Sequence, residues 1–295
     1  MEIIDHLVLR GRLVIVGKEP DGDSVRFVPD TAGLLRQLIG AERIRPSHDG
    51  SVQLRFDAVD APELHYGKEA QPLGGTARDE LLTHLGFTGV AYAGGTSTTV
   101  TAALPSVGVR GAILSAMAEA NGRPVSYVIV GDDDTLPPDG IRLTAGPDLL
   151  ARTVNAWLLS EGIAYYTAYT STPAAHRDQL REIARAARDK PAGVWAQDAS
   201  AGFDLEGQTS IGPGGQLILP KLFRRCTDYL RAVAAGFAGD LAAWLTTVSA
   251  DPRHNANDDV VLGGTTQVHL SDLLTQRDRW ITLDADLLEL TFVEK

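Results

Sequence analysis

The chain has 295 residues, 44% of them hydrophobic and 22% charged, ordinary values for one large globular domain or two modest ones. Its net charge of −11 excludes a protein that simply coats nucleic acid, which is usually basic, but leaves room for a local basic cleft. A single cysteine excludes an intramolecular disulfide and a thiolate metal site, and no run approaches the ~20 apolar residues of a membrane span.

The first six residues, Met1 to His6, contain early acids and no long apolar core, so the expectation is a soluble, cytoplasmic protein without a signal peptide. Arg12 to Val16, a turn at Glu19 to Gly22, and the alternating run Ser24 to Val28 predict a hairpin. Leu34, Leu35, Leu38 and Ile39 stand at helical spacing within Thr31 to Ile39, before Gly40. Val52 to Val59 alternates again and predicts a third strand. A helix is expected within Glu69 to Leu85, strand and loop over Phe87 to Leu104, a short helix over Gly111 to Asn121, and a strand over Arg123 to Val130. Asp132 to Gly146 reads as a solvated acidic loop, including the run Asp132, Asp133, Asp134.

Leu149 to Glu161 predicts a helix stopped by Gly162, and Ala174 to Arg188 another, with Leu180, Ile183, Ala184 and Ala187 on one face. The Gly- and Ser-rich stretch from Gln197 to Gly215 marks the domain boundary, giving 1–197 and an extension, 198–295. In the extension, Leu222 to Val248 reads as amphipathic helix, and Thr265 to Leu270 and Trp280 to Val293 as strand-like runs. Cys226, beside Arg224 and Arg225, reads as a buried structural thiol, and the cluster Asp251, His254, Asp258 and Asp259 as a solvated loop. The interleaved short strands and helices point to an α+β or small-barrel arrangement.

Two acidic stretches carry the chemistry: Asp21-Gly22-Asp23-Ser24, and Arg55 through Asp60-Ala61-Pro62-Glu63. Each alone is a good turn or strand-end sequence. Together they place Asp23 and Asp60 at the ends of strands that could lie side by side, where two carboxylates repel unless a cation lies between them. Oxygen ligands favour Ca²⁺ or Mg²⁺. Arg55 lies five residues before Asp60, so the two share a side only if the strand bulges or bends. Glu63, beyond Pro62, could reach the same cleft.

These stretches, with Tyr66-Gly67-Lys68-Glu69-Ala70, Asn121-Gly122-Arg123, Val125 to Val130, Val154-Asn155, Glu161 to Ala164 and Ala184 to Trp195, resemble the staphylococcal nuclease (thermonuclease) family over roughly residues 8–197. The resemblance implies an OB-type five-stranded β-barrel with packed helices, and the last hundred residues are expected to form an α/β extension of unassigned role. It implies Ca²⁺ held by Asp23, Asp60 and the main-chain carbonyl of Ala61. Arg55 and Arg123 would be the phosphate-binding guanidiniums, and Glu63 the acid that activates or orients water. The implied activity is calcium-dependent hydrolysis of DNA, RNA or both, with single-stranded or flexible substrate preferred and 3′-phosphate products. The alternative is an OB-fold module that binds nucleic acid or protein without cutting.

The chain departs from the family at several points. Ala61 stands where the family has Thr, and Ser24 where it has Thr. Two nucleotide-flanking tyrosines fall on Ala168 and Thr170, with Tyr165, Tyr166 and Tyr169 nearby. Insertions lie between Val28 and Val52, Tyr92 and Asn121, and Gly131 and Leu150. His176 reads as structural, while His48, His65 and His84 read as surface residues without metal spacing.

Overall fold

A computed structural model describes residues 5–95, 97–249 and 256–294. Strand β1 (His6–Val14) pairs antiparallel with β2 (Arg26–Pro29), Val14 opposite Arg26, so the predicted hairpin is present with a longer first strand. The helix predicted over Thr31–Ile39 is instead a short 3₁₀ segment, Ala32–Gln37. The one strand predicted over Val52–Val59 is three: β3 (Val52–Gln53), β4 (Arg55–Phe56) and β5 (Val59–Asp60). Ala58, at φ 60°, supplies the bend between Arg55 and Asp60.

Helix α1 (Gly74–His84) is followed by a hairpin, β6 (Thr88–Tyr92) and β7 (Val100–Leu104). The short helix expected over Gly111–Asn121 is wrong. Gly111 to Ala118 lie in the ten-residue strand β8 (Val109–Ala118), hydrogen-bonded to β1 on one side and β9 (Pro124–Val130) on the other, and Glu119 to Asn121 lie in the turn that follows. Ala, Leu and Met favour helix, but a central barrel position buries both faces of Ala112 to Leu114, and this tertiary demand overrides propensity. A side chain at Gly111 would also come within 2.6 Å of the Ile129 carbonyl, a closeness only glycine permits.

The two-residue β10 (Arg142–Leu143) pairs with β1. The helix predicted over Leu149–Glu161 splits into α2 (Pro147–Ala151) and α3 (Val154–Ser160), because Thr153 leaves the helix to cap α3. Then come β11 (Tyr165–Tyr166), β12 (Ala168–Tyr169) and α4 (Ala174–Asp189). The remaining chain forms β13 (Gly202–Asp204), α5 (Pro220–Ala234), α6 (Leu241–Ser249), β14 (Asp259–Leu262), β15 (Thr266–His269), β16 (Leu274–Arg277), β17 (Trp280–Leu283) and β18 (Leu290–Phe292). Among the described residues, no helix is long and apolar enough to cross a membrane.

The architecture is α+β, with an OB-type, nearly closed barrel in the order β3-β2-β1-β8-β9-β4. Its closure is local. β3 pairs with β2 at one edge and β4 with β9 at the other, and only Leu54 separates β3 from β4. One five-residue stretch therefore joins both edges of the sheet and removes its open rims. Asn155 on α3 ties this seam to the helices. Its carboxamide donates to the carbonyls of Asp57 (2.9 Å) and Ser126 (3.1 Å) and accepts from Val128 N–H (3.0 Å), all buried.

Two hydrophobic clusters form, one inside the barrel and one in the extension. They interleave: Tyr165 and Val194 pack in the second, and Leu288 in the first. β12 also pairs in parallel with β18, Ala168 opposite Thr291.

Replacing Asn155 with Ala leaves three buried backbone groups without this partner, so unfolding stability should fall by about 2–4 kcal/mol. Chemical denaturation checks this, and a loss below ~1 kcal/mol would contradict the seam role.

Candidate active site

A cleft of about 650 Å³ opens where the β1–β2 connection, the barrel seam and α5 meet. The seam sets Arg55 in register with Val125, two residues past Arg123, so adjacent strands deliver both guanidiniums to the cleft. Leu54 N–H donates to the Val25 carbonyl (3.0 Å), which draws the Asp21-Gly22-Asp23 turn to the same place. Gly22 fits there because it lacks a side chain: a Cβ would lie 2.7 Å from that of Ala61 and 2.9 Å from that of Ala77. Ala61 N–H in turn donates to Asp23 Oδ2 at 3.1 Å. Asp60 is held by pairing of β5 with β11, opposite Tyr165.

Glu63 is fixed through its main chain. Gln71 accepts from Glu63 N–H (3.1 Å) and its own N–H donates to the Glu63 carbonyl (2.9 Å). Asp23, Asp60, Ala61, Glu63, Arg55 and Arg123 all line the one cleft. Asp21, absent from the predicted ligand set, lines it too.

The electrostatics are those of crowded acid. Burial, then the neighbouring Asp23, pushes the Asp21 carboxyl up to about 7. Burial, then Asp60, raises that of Asp23. Burial raises Glu63 to about 7, although Arg224 opposes the shift. Arg55 lies 5.0 Å from the centre of the Tyr169 ring, and Arg123 forms an ion pair with Glu119 at 3.0 Å.

Sequence reasoning missed the cations of α5. Arg224 donates to both oxygens of Asp60, at 3.2 and 2.8 Å, and to Glu63. Lys221 and Arg225 also line the cleft and both pair with the nearly buried Asp258, at 3.3 and 2.8 Å. The one signal available was the pair Arg224-Arg225 on a helix whose other face is apolar.

Asp21, Asp23 and Asp60 offer only oxygen, and the carboxyls of Asp21 and Asp23 are raised by burial and then by acidic neighbours, a strain that a hard cation would relieve, so the donor set fits Ca²⁺. Among the described residues, no three acidic, histidine or cysteine side chains are already gathered at metal-binding geometry, and Arg224 is the group that engages Asp60 and Glu63.

The other candidates fall elsewhere. Tyr165 and Tyr166 are buried, while Tyr169 lines the cleft with cations on its ring rather than a free stacking face. His176 is structural, within hydrogen-bonding distance of the Tyr127 hydroxyl (3.1 Å) and the Ala145 carbonyl (2.9 Å). His48 and His84 are exposed, and His84 stacks on Trp157. His65 is exposed at the cleft rim. Cys226 is buried, and burial raises its thiol. Asp132 and Asp133 pair with Arg110 and Arg152. In the C-terminal polar cluster, Asp251 and His254 lie outside the described residues, and Asp259 pairs with His269 at 2.8 Å.

Residues 53–197 match a family model described as staphylococcal nuclease homologue. The match begins inside β3, yet β1, β2 and the Asp21–Asp23 turn are parts of the same barrel. No curated protein matches the chain significantly.

Because folding raises the Asp21 and Glu63 carboxyls to about 7, the folded state favours their protonated forms. The stability they lend at low pH is lost as pH rises through that value. In chelator, these two groups should make the melting temperature fall as pH rises from about 4.5 to 7, with no further loss from them above about pH 8, and calcium should flatten the fall. Thermal melts of wild type and an Asp21→Asn, Glu63→Gln double variant test this; equal slopes would contradict it.

Proposed function

We propose that this protein is a calcium-dependent nuclease that hydrolyses phosphodiester bonds of DNA, RNA or both and leaves 3′-phosphate ends. Residues 1–197 form the nuclease domain and 198–295 an extension packed on it. The observation that carries the reading is the single cleft lined by Asp23, Asp60, Glu63, Arg55 and Arg123, within or beside the stretch that matches the nuclease homologue model.

Asp23 and Asp60, with the Ala61 carbonyl, would hold Ca²⁺, which when bound offsets the negative charge of the diester and favours water attack on phosphorus. Arg55 and Arg123 bind phosphate oxygens with paired N–H donors and follow the charge as it grows. Desolvation raises the Glu63 carboxyl to about 7, so near neutral pH Glu63 is poised to accept a proton from the attacking water. Its backbone, clamped by Gln71, holds that acid in place. The expected substrate is a flexible single strand.

A second reading, a module that binds without cutting, has one specific observation behind it: Arg224 already engages the two acids the reaction needs. The two readings separate in one assay, with labelled single-stranded DNA and RNA in calcium and in chelator. The nuclease reading expects calcium-dependent cleavage by wild type, and none by Glu63→Gln despite retained binding. Binding without cleavage by either protein favours the module.

Lysine at Arg55 or Arg123 keeps the charge but loses the paired geometry. Each variant should lose activity by about 10²-fold with its melting temperature nearly unchanged. Kinetics on a short oligonucleotide check this, and wild-type rates in both variants would contradict the assignment.

A further inference from the structure

The family match ends at residue 197, yet three of the cations lining the cleft, Lys221, Arg224 and Arg225, come from α5 beyond it. They occupy the first two turns of that helix, the positive end of its dipole, where cations are disfavoured unless anions face them. Here the facing anions are Asp258, Asp60 and Glu63. The acids of the barrel and the cations of α5 thus neutralise each other across the cleft.

The contact is built rather than casual. Gln71, which clamps Glu63, donates to the Ile218 carbonyl at 2.7 Å, two residues before α5 begins. Tyr66 donates to Asp228 on α5 at 2.7 Å. The chain that follows Asp60 and Glu63 is therefore docked at two points against the segment that carries Arg224. Within that frame the guanidinium of Arg224 fills the role a divalent cation would take, balancing Asp60 beside the acid that would direct water.

We propose that Arg224 is an exchangeable guanidinium: it neutralises Asp60 and Glu63 while the cleft holds no metal, and passes to a substrate phosphate when a divalent cation takes Asp60. This inference rests on the nuclease reading and deepens it. Metal and Arg224 compete for the Asp60 oxygens, so two cations do not crowd that one carboxylate. Once displaced, Arg224 stands in the cleft beside Arg55 with its fork of donors free for a phosphate. The extension then contributes to substrate binding, and metal binding and substrate binding reinforce one another.

The test uses the full chain as wild type, Arg224→Ala and Arg224→Lys. Calcium affinity is measured by titration calorimetry without nucleic acid, and KM and kcat on a short single-stranded oligonucleotide at saturating calcium. Arg224→Ala should bind calcium about tenfold more tightly, because its competitor is gone, and should raise KM about tenfold while kcat changes less. Arg224→Lys should fall between. A third readout guards against poor folding. Calcium should raise the melting temperature of Arg224→Ala more than that of wild type, since only the variant lacks the ion pairs that Arg224 makes with Asp60 and Glu63. Unchanged calcium affinity in Arg224→Ala overturns the competition, and unchanged KM overturns the transfer to phosphate. Cleavage by wild type with neither effect sinks this inference and spares the nuclease reading. Tighter calcium binding by Arg224→Ala with no cleavage by any protein does the reverse for the competition.

Discussion

Acidic side chains gathered in a half-buried cleft must be matched by positive charge, and much of this molecule is arranged around that requirement. Asp21, Asp23, Asp60 and Glu63 share one space, and burial and mutual repulsion raise the carboxyls of Asp21 and Asp23. Unpaired charge there would cost more than a fold of this size can spare. Two sources of compensation exist: the arginines of the barrel and the cations of α5. Arg224, touching Asp60 and Glu63 together, is the closest of them.

The barrel makes this concentration of charge possible. Its edges are joined by a single short stretch, β3 to β4, and that stretch carries Arg55. The bend at Ala58 then turns the chain so that Asp60 and Glu63 follow Arg55 into the cleft. A straight strand would have sent Arg55 and Asp60 to opposite faces. Closure of the sheet and assembly of the site are thus the work of the same dozen residues. The Asn155 carboxamide, set by α3, holds the seam to the helical layer.

Much of this was legible in the sequence because the informative residues are local. The β1–β2 hairpin, α4 and the strand from Arg123 follow from alternation, helical spacing and glycine stops. The acidic stretches could be recognised by their order and company. What failed did so for tertiary reasons. β8 is built of helix-favouring residues, and only its central place between β1 and β9 makes it a strand. The break at Ala58 was required by the chemistry but not signalled by the residue, since alanine rarely adopts positive φ. Arg224 lies more than 160 residues from its partners, and no short-range pattern links them.

The extension shares strands and core with the barrel and reaches the acids directly, so the chemistry of the cleft and the packing of the last hundred residues are coupled. A crystal structure of the full chain with calcium and a short oligonucleotide analogue resistant to cleavage tests the central claim most directly. The account predicts one ion between Asp23 and Asp60, Arg55 and Arg123 on the scissile phosphate, and Arg224 moved from the carboxylates to a phosphate oxygen. An ion bound elsewhere, or nucleic acid bound outside this cleft, would contradict it.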